Sequence, residues 1–194
     1  MSEETQTDTI ALLGRPETYG IDAKVDVIRT HISQVFLAGT RVYKLKRAVN
    51  LPYVDFTDPK MRKWACEQEL ALNRRTAPDI YLEVAAITQQ SDGSLTLQGN
   101  GEAVDWVVVM RRFKEDDGLD RLAERGALTL DHMDAVGDAI VALHAAAERR
   151  TAEQNSASME EISAENVALL RKAAGVDQQA VDAYARATDR ALSD

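Results

Sequence analysis

Lysine, glutamate and serine stand at spacings that let them meet in a folded chain. Along an extended run Val42-Tyr43-Lys44-Leu45-Lys46 side chains alternate, so Val42, Lys44 and Lys46 share one face and Tyr43 and Leu45 take the other. A carboxylate on an adjoining helix can hold such a strand ammonium in a fixed direction. Glu67 and Glu69 lie on the one helix the sequence offers for this. Lys44, with the branched apolar Val42 two positions before it, is favoured over Lys46 as the anion-binding lysine. Glu67 lies one turn from Trp64 and from Leu70 and Ala71, and is placed ahead of Glu69 as its partner. Upstream, Thr30-His31-Ile32-Ser33 is a polar turn in which the Ser33 hydroxyl or nearby amides can contact an anion, and His31 serves equally as a structural hydrogen-bonding group. From Arg41 to Arg75 nine Lys/Arg stand against four Asp/Glu, a local reversal inside a chain of formal charge −9. That excess fits either a bound anion or a solvated basic face.

The elements that must position these groups follow from turn chemistry and periodicity. Residues 25–29, 34–38 and 41–49 read as three strands of a meander, with Gly39-Thr40 as a tight hairpin turn. Asp58-Pro59 opens a helix expected over residues 59–76, because the carboxylate caps free amides and Pro at the first position needs no amide partner. Pro78 ends it, and residues 81–88, 94–98 and 104–110, separated by turns at Ser91-Asp92-Gly93 and Gly99-Asn100-Gly101, give two more strands. The expected order is β-β-β-α-β-β. Beyond Phe113 the chain turns helical: Met133, Val136, Ile140, Leu143 and Ala147 repeat at helical spacing, Ser158 to Glu161 has the form of a capping box, and Asp177 caps a last helix. Residues 150–157 read as a linker.

Composition removes several classes. No stretch approaches the length of a membrane-spanning helix, the acidic start Met1-Ser2-Glu3-Glu4 is unlike a signal peptide, and a membrane partner is not expected. Cys66 is the single cysteine, so a disulfide framework and a cysteine zinc site are excluded; three scattered histidines suggest no metal cage. The net negative charge argues against nucleic acid as a partner. A soluble, cytoplasmic protein is expected. Nine of the ten aromatic residues precede residue 114 and only Tyr184 follows, so the Ala-rich remainder needs something further to pack on. The apolar stripe Met133/Val136/Ile140/Leu143 also offers a homodimerisation face.

Five spaced segments carry a family resemblance: His31-Ile-Ser-Gln-Val-Phe-Leu-Ala-Gly, Val42-Tyr-Lys-Leu-Lys, Cys66-Glu-Gln-Glu-Leu-Ala-Leu-Asn-Arg-Arg, Ala77-Pro-Asp-Ile-Tyr-Leu and Asp105-Trp-Val-Val-Val-Met-Arg-Arg-Phe. Together they resemble the aminoglycoside phosphotransferase-like proteins of bacteria, within the protein-kinase-like fold, in the branch often fused to a C-terminal P-loop ATPase domain. The resemblance spans about residues 10–150. It implies an α+β fold: a protein-kinase-like N-lobe, with a five-stranded antiparallel sheet plus one inserted helix, followed by helices of an incomplete C-lobe. The corresponding division is a flexible leader over 1–20, the N-lobe over 21–113 and the helical start of a C-lobe over 114–194. An ATP cofactor is implied, with Val42 over the adenine, Lys44 on the phosphates, Glu67 or Glu69 holding that lysine, and Ser33 in the phosphate-covering loop. Met110 would sit at the back of the adenine pocket, and the backbone from Arg111 to Phe113 would form the hinge that bonds the base.

The same resemblance identifies what the sequence lacks. A phosphoryl-transfer enzyme needs a base-positioning Asp and further groups on magnesium, and the family's His-Gly-Asp loop and its Asp-containing metal motif do not occur here. His144 lies on the apolar helix and His132 at a helix start, neither in such a loop. The expectation is therefore the N-terminal part of an ATP-dependent transferase acting on a small-molecule hydroxyl, with magnesium ligands absent from this chain and no turnover by the chain as given. A non-catalytic nucleotide-binding or protein-interaction module is the alternative.

Overall fold

The computed structural model describes residues 6–149 and 152–193, with side chains over 6–149 and 159–192. Helix α1 (Thr7–Leu13) and a 3-10 turn (Pro16–Tyr19) lead into strands β1 (Asp26–Arg29), β2 (Ser33–Ala38) and β3 (Arg41–Lys46). A small hairpin, β4 (Asn50–Leu51) and β5 (Val54–Asp55), precedes helix α2 (Pro59–Asn73). Strands β6 (Tyr81–Gln89), β7 (Leu95–Leu97) and β8 (Glu102–Arg111) complete the β portion, and helices α3 (Leu119–Glu124), α4 (Leu130–Ala146), α5 (Ala152–Lys172) and α6 (Gln178–Ser193) follow. The fold is α+β.

The main sheet is antiparallel with strand order β1-β2-β3-β8-β6-β7. Six strands replace the five expected, because the short segment Leu95–Leu97 pairs with Gln89–Ile87 and becomes the edge strand β7. Local chemistry explains the best-defined joints. Gly39 has φ +59 in the two-residue loop between Ala38 and Arg41, the conformation that such a hairpin reserves for glycine. Asp58 accepts from the Lys60 amide at 2.8 Å and Pro59 takes the first helical position, starting α2 where expected. Gly101 is fixed by space, since a Cβ there would lie 1.9 Å from the Gln89 carbonyl oxygen.

Each face of the sheet has its own core. Phe36, Ala38, Tyr43, Leu45, Ala85, Ile87, Val107 and Val109 form one, joined by Leu13 from α1. Val42, Val108 and Met110 form the other, joined by Cys66 from α2. The flexible leader expected over residues 1–20 is thus corrected for its described part: Leu13 and Gln6 are buried, because Leu13 belongs to the first core and Gln6 enters a polar network described below. Strand β3 ends at Lys46 rather than 49, where Arg47 turns to donate its amide to the Ile32 carbonyl.

The chain divides into two compact units, residues 1–143 and 144–194. The boundary expected at 113/114 falls inside the first. Helix α4 has no buried residue, and Met133 and Ile140 of its apolar stripe are exposed while Val136 and Leu143 are half-buried. In the second unit α5 and α6 form a helical hairpin with Arg171 paired to Asp182 at 3.1 Å and Gly175 at φ +78 in the connection. The expected linker is corrected here: α5 already begins at Ala152, so residues 152–157 are helical and no helix starts at a Ser158 capping box; residues 150 and 151 lie outside the described residues. Asp177 does cap α6, accepting from the Gln179 amide at 2.9 Å.

Candidate functional site

Register decides what shares the α2 face of the sheet. Ser33 pairs with Lys46, Val35 with Lys44 and Leu37 with Val42; Lys44 in turn pairs with Val108 and Val42 with Met110. Directly opposed residues of an antiparallel pair point to one side. One end of this face is therefore apolar, with Val35, Leu37, Val42, Met110, Ile80 and Tyr81 packed together, and the other end carries Lys44, Lys46 and Ser33.

Helix α2 adds the carboxylate. Its inward stripe runs Arg62, Cys66, Glu69, Asn73, at offsets of four, three and four. Glu69 Oε1 accepts from Lys44 Nζ at 2.7 Å and Oε2 accepts from Lys46 Nζ. Three charged groups thus share one net positive charge. Burial by itself would push the Glu69 carboxyl up, but the hydrogen bonds and charges of the two lysines outweigh it and hold the group below the usual glutamate range. Burial also pushes the Cys66 thiol up to about 12, and raises Tyr81, with the Glu69 charge adding to the latter. Both stay neutral beside the ion cluster.

The expected glutamate is corrected by one helical phase. Glu67 is 51% exposed and pairs with Lys63 at 3.7 Å along its own helix, whereas Glu69 is 12% exposed and faces β3. Trp64, which pointed to Glu67, is itself an exposed residue on the outer side of α2. Val42 and Met110 are both buried in the apolar end. The hinge is altered: the Arg111 amide donates to the Ile80 carbonyl at 2.8 Å and the Arg112 amide to Thr40 at 2.9 Å, so neither is available to a base. Phe113 follows with an exposed side chain. Ser33 lies at the lysine end, but its hydroxyl is buried without a hydrogen-bond partner among the described residues and is not presented to solvent. Arg47 Nη1 holds the turn over it, donating to Thr30 and His31 carbonyls at 2.6 and 2.7 Å. His31 is exposed and its ring meets Tyr53 edge-on at 6.5 Å.

One group of site residues had no place in the sequence expectations. Arg62 and Asp105 form a fully buried two-pronged pair, Nε to Oδ1 at 2.9 Å and Nη2 to Oδ2 at 3.0 Å. Arg62 Nη1 also donates to the Phe56 and Thr57 carbonyls at 2.8 and 3.1 Å. Gln6 closes the network, donating to Asp105 at 2.7 Å and to the Lys46 carbonyl at 3.0 Å and accepting from the Ala48 amide at 2.7 Å. This ties α1, β3, α2 and β8 together at the lysine end of the site. The signal that could have found it is a lone Asp105 heading the apolar run Val107 to Met110, a position that demands a buried cation.

Two uncharacterized proteins, one of Mycobacterium tuberculosis and one of Mycobacterium bovis, are each 32% identical to this chain over 125 residues. The match covers 64% of this chain and 23% of each relative, so the chain corresponds to less than a quarter of the length of the curated relatives it matches. No protein-family model matches the chain, and no solved structure does. Among the described residues no three His, Cys, Asp or Glu side chains converge as a metal-binding group.

Proposed function

We propose that the sheet and α2 form the nucleotide-binding, kinase-like N-lobe of an ATP-dependent small-molecule phosphotransferase resembling the aminoglycoside phosphotransferase-like proteins. The observation that carries this reading is Glu69, on a helix inserted between strands, holding two β3 lysines beside an apolar wall. In this reading an adenine ring lies against the half-buried Val35 at the edge of the apolar wall, whose interior is Val42 and Met110, and an ammonium at Lys44 supplies charge to the phosphates. With the Arg111 and Arg112 amides occupied, the base takes its hinge hydrogen bonds from the Phe113 backbone. The residues that position an acceptor hydroxyl and ligate magnesium are not among those of this chain. The acceptor in this reading is a small-molecule alcohol.

Calorimetric titration of ATP with magnesium into the chain tests the reading. Saturable heat is expected, with affinity reduced roughly tenfold to hundredfold in Lys44→Ala, the range for losing a hydrogen bond to a charged group. No heat at millimolar ATP, or binding untouched by Lys44→Ala, would overturn it. A phosphorylation assay with a panel of small alcohols should show no turnover by the 194-residue chain. Robust turnover would contradict the assignment of catalytic groups outside this sequence.

A further inference from the structure

We propose that Lys46 is a positioning residue: it anchors Glu69 so that the carboxylate holds Lys44 aimed at the phosphates of a bound nucleotide. This rests on the nucleotide reading above and adds a division of labour between the two lysines.

The geometry makes them unequal. Each takes a separate oxygen of Glu69, so the carboxylate bridges the two lysines and the lysine that is held more firmly sets its position. Lys46 is the one that is fixed. Its side chain is 8% exposed against 27% for Lys44, and its ammonium lies 5.9 Å from the centre of the Phe56 ring. Its carbonyl is held by Gln6, which also takes the Ala48 amide, and Phe56 is itself bonded through its carbonyl to Arg62 of the buried network. The strand around Lys46 is therefore pinned from two sides. Lys44 stands opposite Val35 and Val108, next to the apolar wall, where phosphates attached to a base on that wall would arrive. Lys46 stands opposite Ser33, beneath the turn that Arg47 holds closed.

The unmodified chain provides the first test. An acyl-phosphate derivative of ATP acylates a lysine that reaches its phosphates: the Nζ–acyl amide bond forms, the acyl–phosphate bond breaks, ATP leaves and a proton goes to solvent. Peptide mass spectrometry should find Lys44 labelled at least tenfold over Lys46, with excess ATP suppressing the label. Equal or preferential labelling of Lys46 would overturn the division while leaving the nucleotide reading intact, and no labelling of either lysine would overturn both. The second test needs no nucleotide. The Glu69 carboxyl, assigned by Glu69→Gln, is titrated by carbon-13 NMR. Its neighbours Cys66 on α2 and Tyr81 on β6 are neutral throughout, leaving the lysines as the groups that move it. Its pKa should stay depressed in Lys44→Ala, rise in Lys46→Met and fall again in Lys46→Arg. A larger rise in Lys44→Ala than in Lys46→Met would refute the anchor role.

Discussion

Replacing Arg62 by Met should unfold the first unit more readily than any surface change, and the structure sets the size of the effect. Met fills much of the volume of the Arg stem but leaves Asp105 buried with only the Gln6 amide and the Trp106 N–H as donors, at 2.7 and 2.9 Å. The Phe56 and Thr57 carbonyls lose their donor as well. Removing one member of a buried ion pair costs about 3–5 kcal/mol, against a total stability of about 5–15 kcal/mol for a typical domain. With a urea m-value of roughly 2 kcal/mol/M, a cost of about 4 kcal/mol moves the midpoint down by about 2 M. Trp64 and Trp106 both lie in this unit, so urea titration followed by tryptophan fluorescence reports it directly. The double variant Arg62→Met/Asp105→Leu should recover about 2 kcal/mol relative to Arg62→Met, because no unpaired charge remains; the two carbonyls keep the recovery partial. A single-variant cost below about 1 kcal/mol, or a double-variant cost equal to the sum of the singles, would refute the claim that the pair is a coupled buried unit.

Glu69 has a depressed folded-state pKa, so its contribution to stability is present above the ordinary glutamate value and is lost as pH falls through the depressed one. Denaturant midpoints measured from pH 6 down to pH 3 should therefore fall less steeply in Glu69→Gln than in the parent, and parallel curves would contradict the ion cluster. Gly101→Ala should lower stability by about 1–3 kcal/mol in a thermal melt, since its Cβ would collide with the Gln89 carbonyl; an unchanged melting temperature would mean that the close approach is absent. Cys66, buried and with its thiol pushed up to about 12, should resist a thiol-disulfide reagent at pH 8 until denaturant is added. Rapid native labelling would show that the α2 face opens. Asp58→Ala should cost about 1 kcal/mol through loss of the cap on α2, read by the same urea titration.

What could be read from the sequence was what neighbours in the chain decide. Gly39-Thr40 and Asp58-Pro59 were legible because a turn and a helix cap are fixed within four residues. Helix α1 was not, because seven residues of mixed polarity make a helix only when Leu13 finds the sheet core and Gln6 finds Asp105. The segment of β7 was legible from the turns that flank it, but its place as a separate edge strand depends on pairing with β6.

The phase of α2 failed for a sharper reason. A search for the inward side of a helix follows large apolar residues, and Trp64 led it outward. The true inward stripe holds an arginine, a glutamate and an asparagine, and its two charged members are satisfied by atoms distant in sequence: Arg62 by Asp105, 43 residues on, and Glu69 by Lys44, 25 residues back. Hydrophobic periodicity cannot register such a stripe, because its burial is made favourable by partners and not by transfer from water. The local basic excess misleads in the same way. Seven of its nine cations, Arg41, Lys44, Lys46, Arg47, Arg62, Lys63 and Arg74, are bonded to carboxylates or carbonyls of the chain itself. Counting charges located the segment, but the number of basic residues is not the positive charge available to a ligand. At the site that charge is the single one left over by two lysines on one glutamate, and this makes the choice between Lys44 and Lys46, more than the overall basicity, the variable on which anion binding by this face depends.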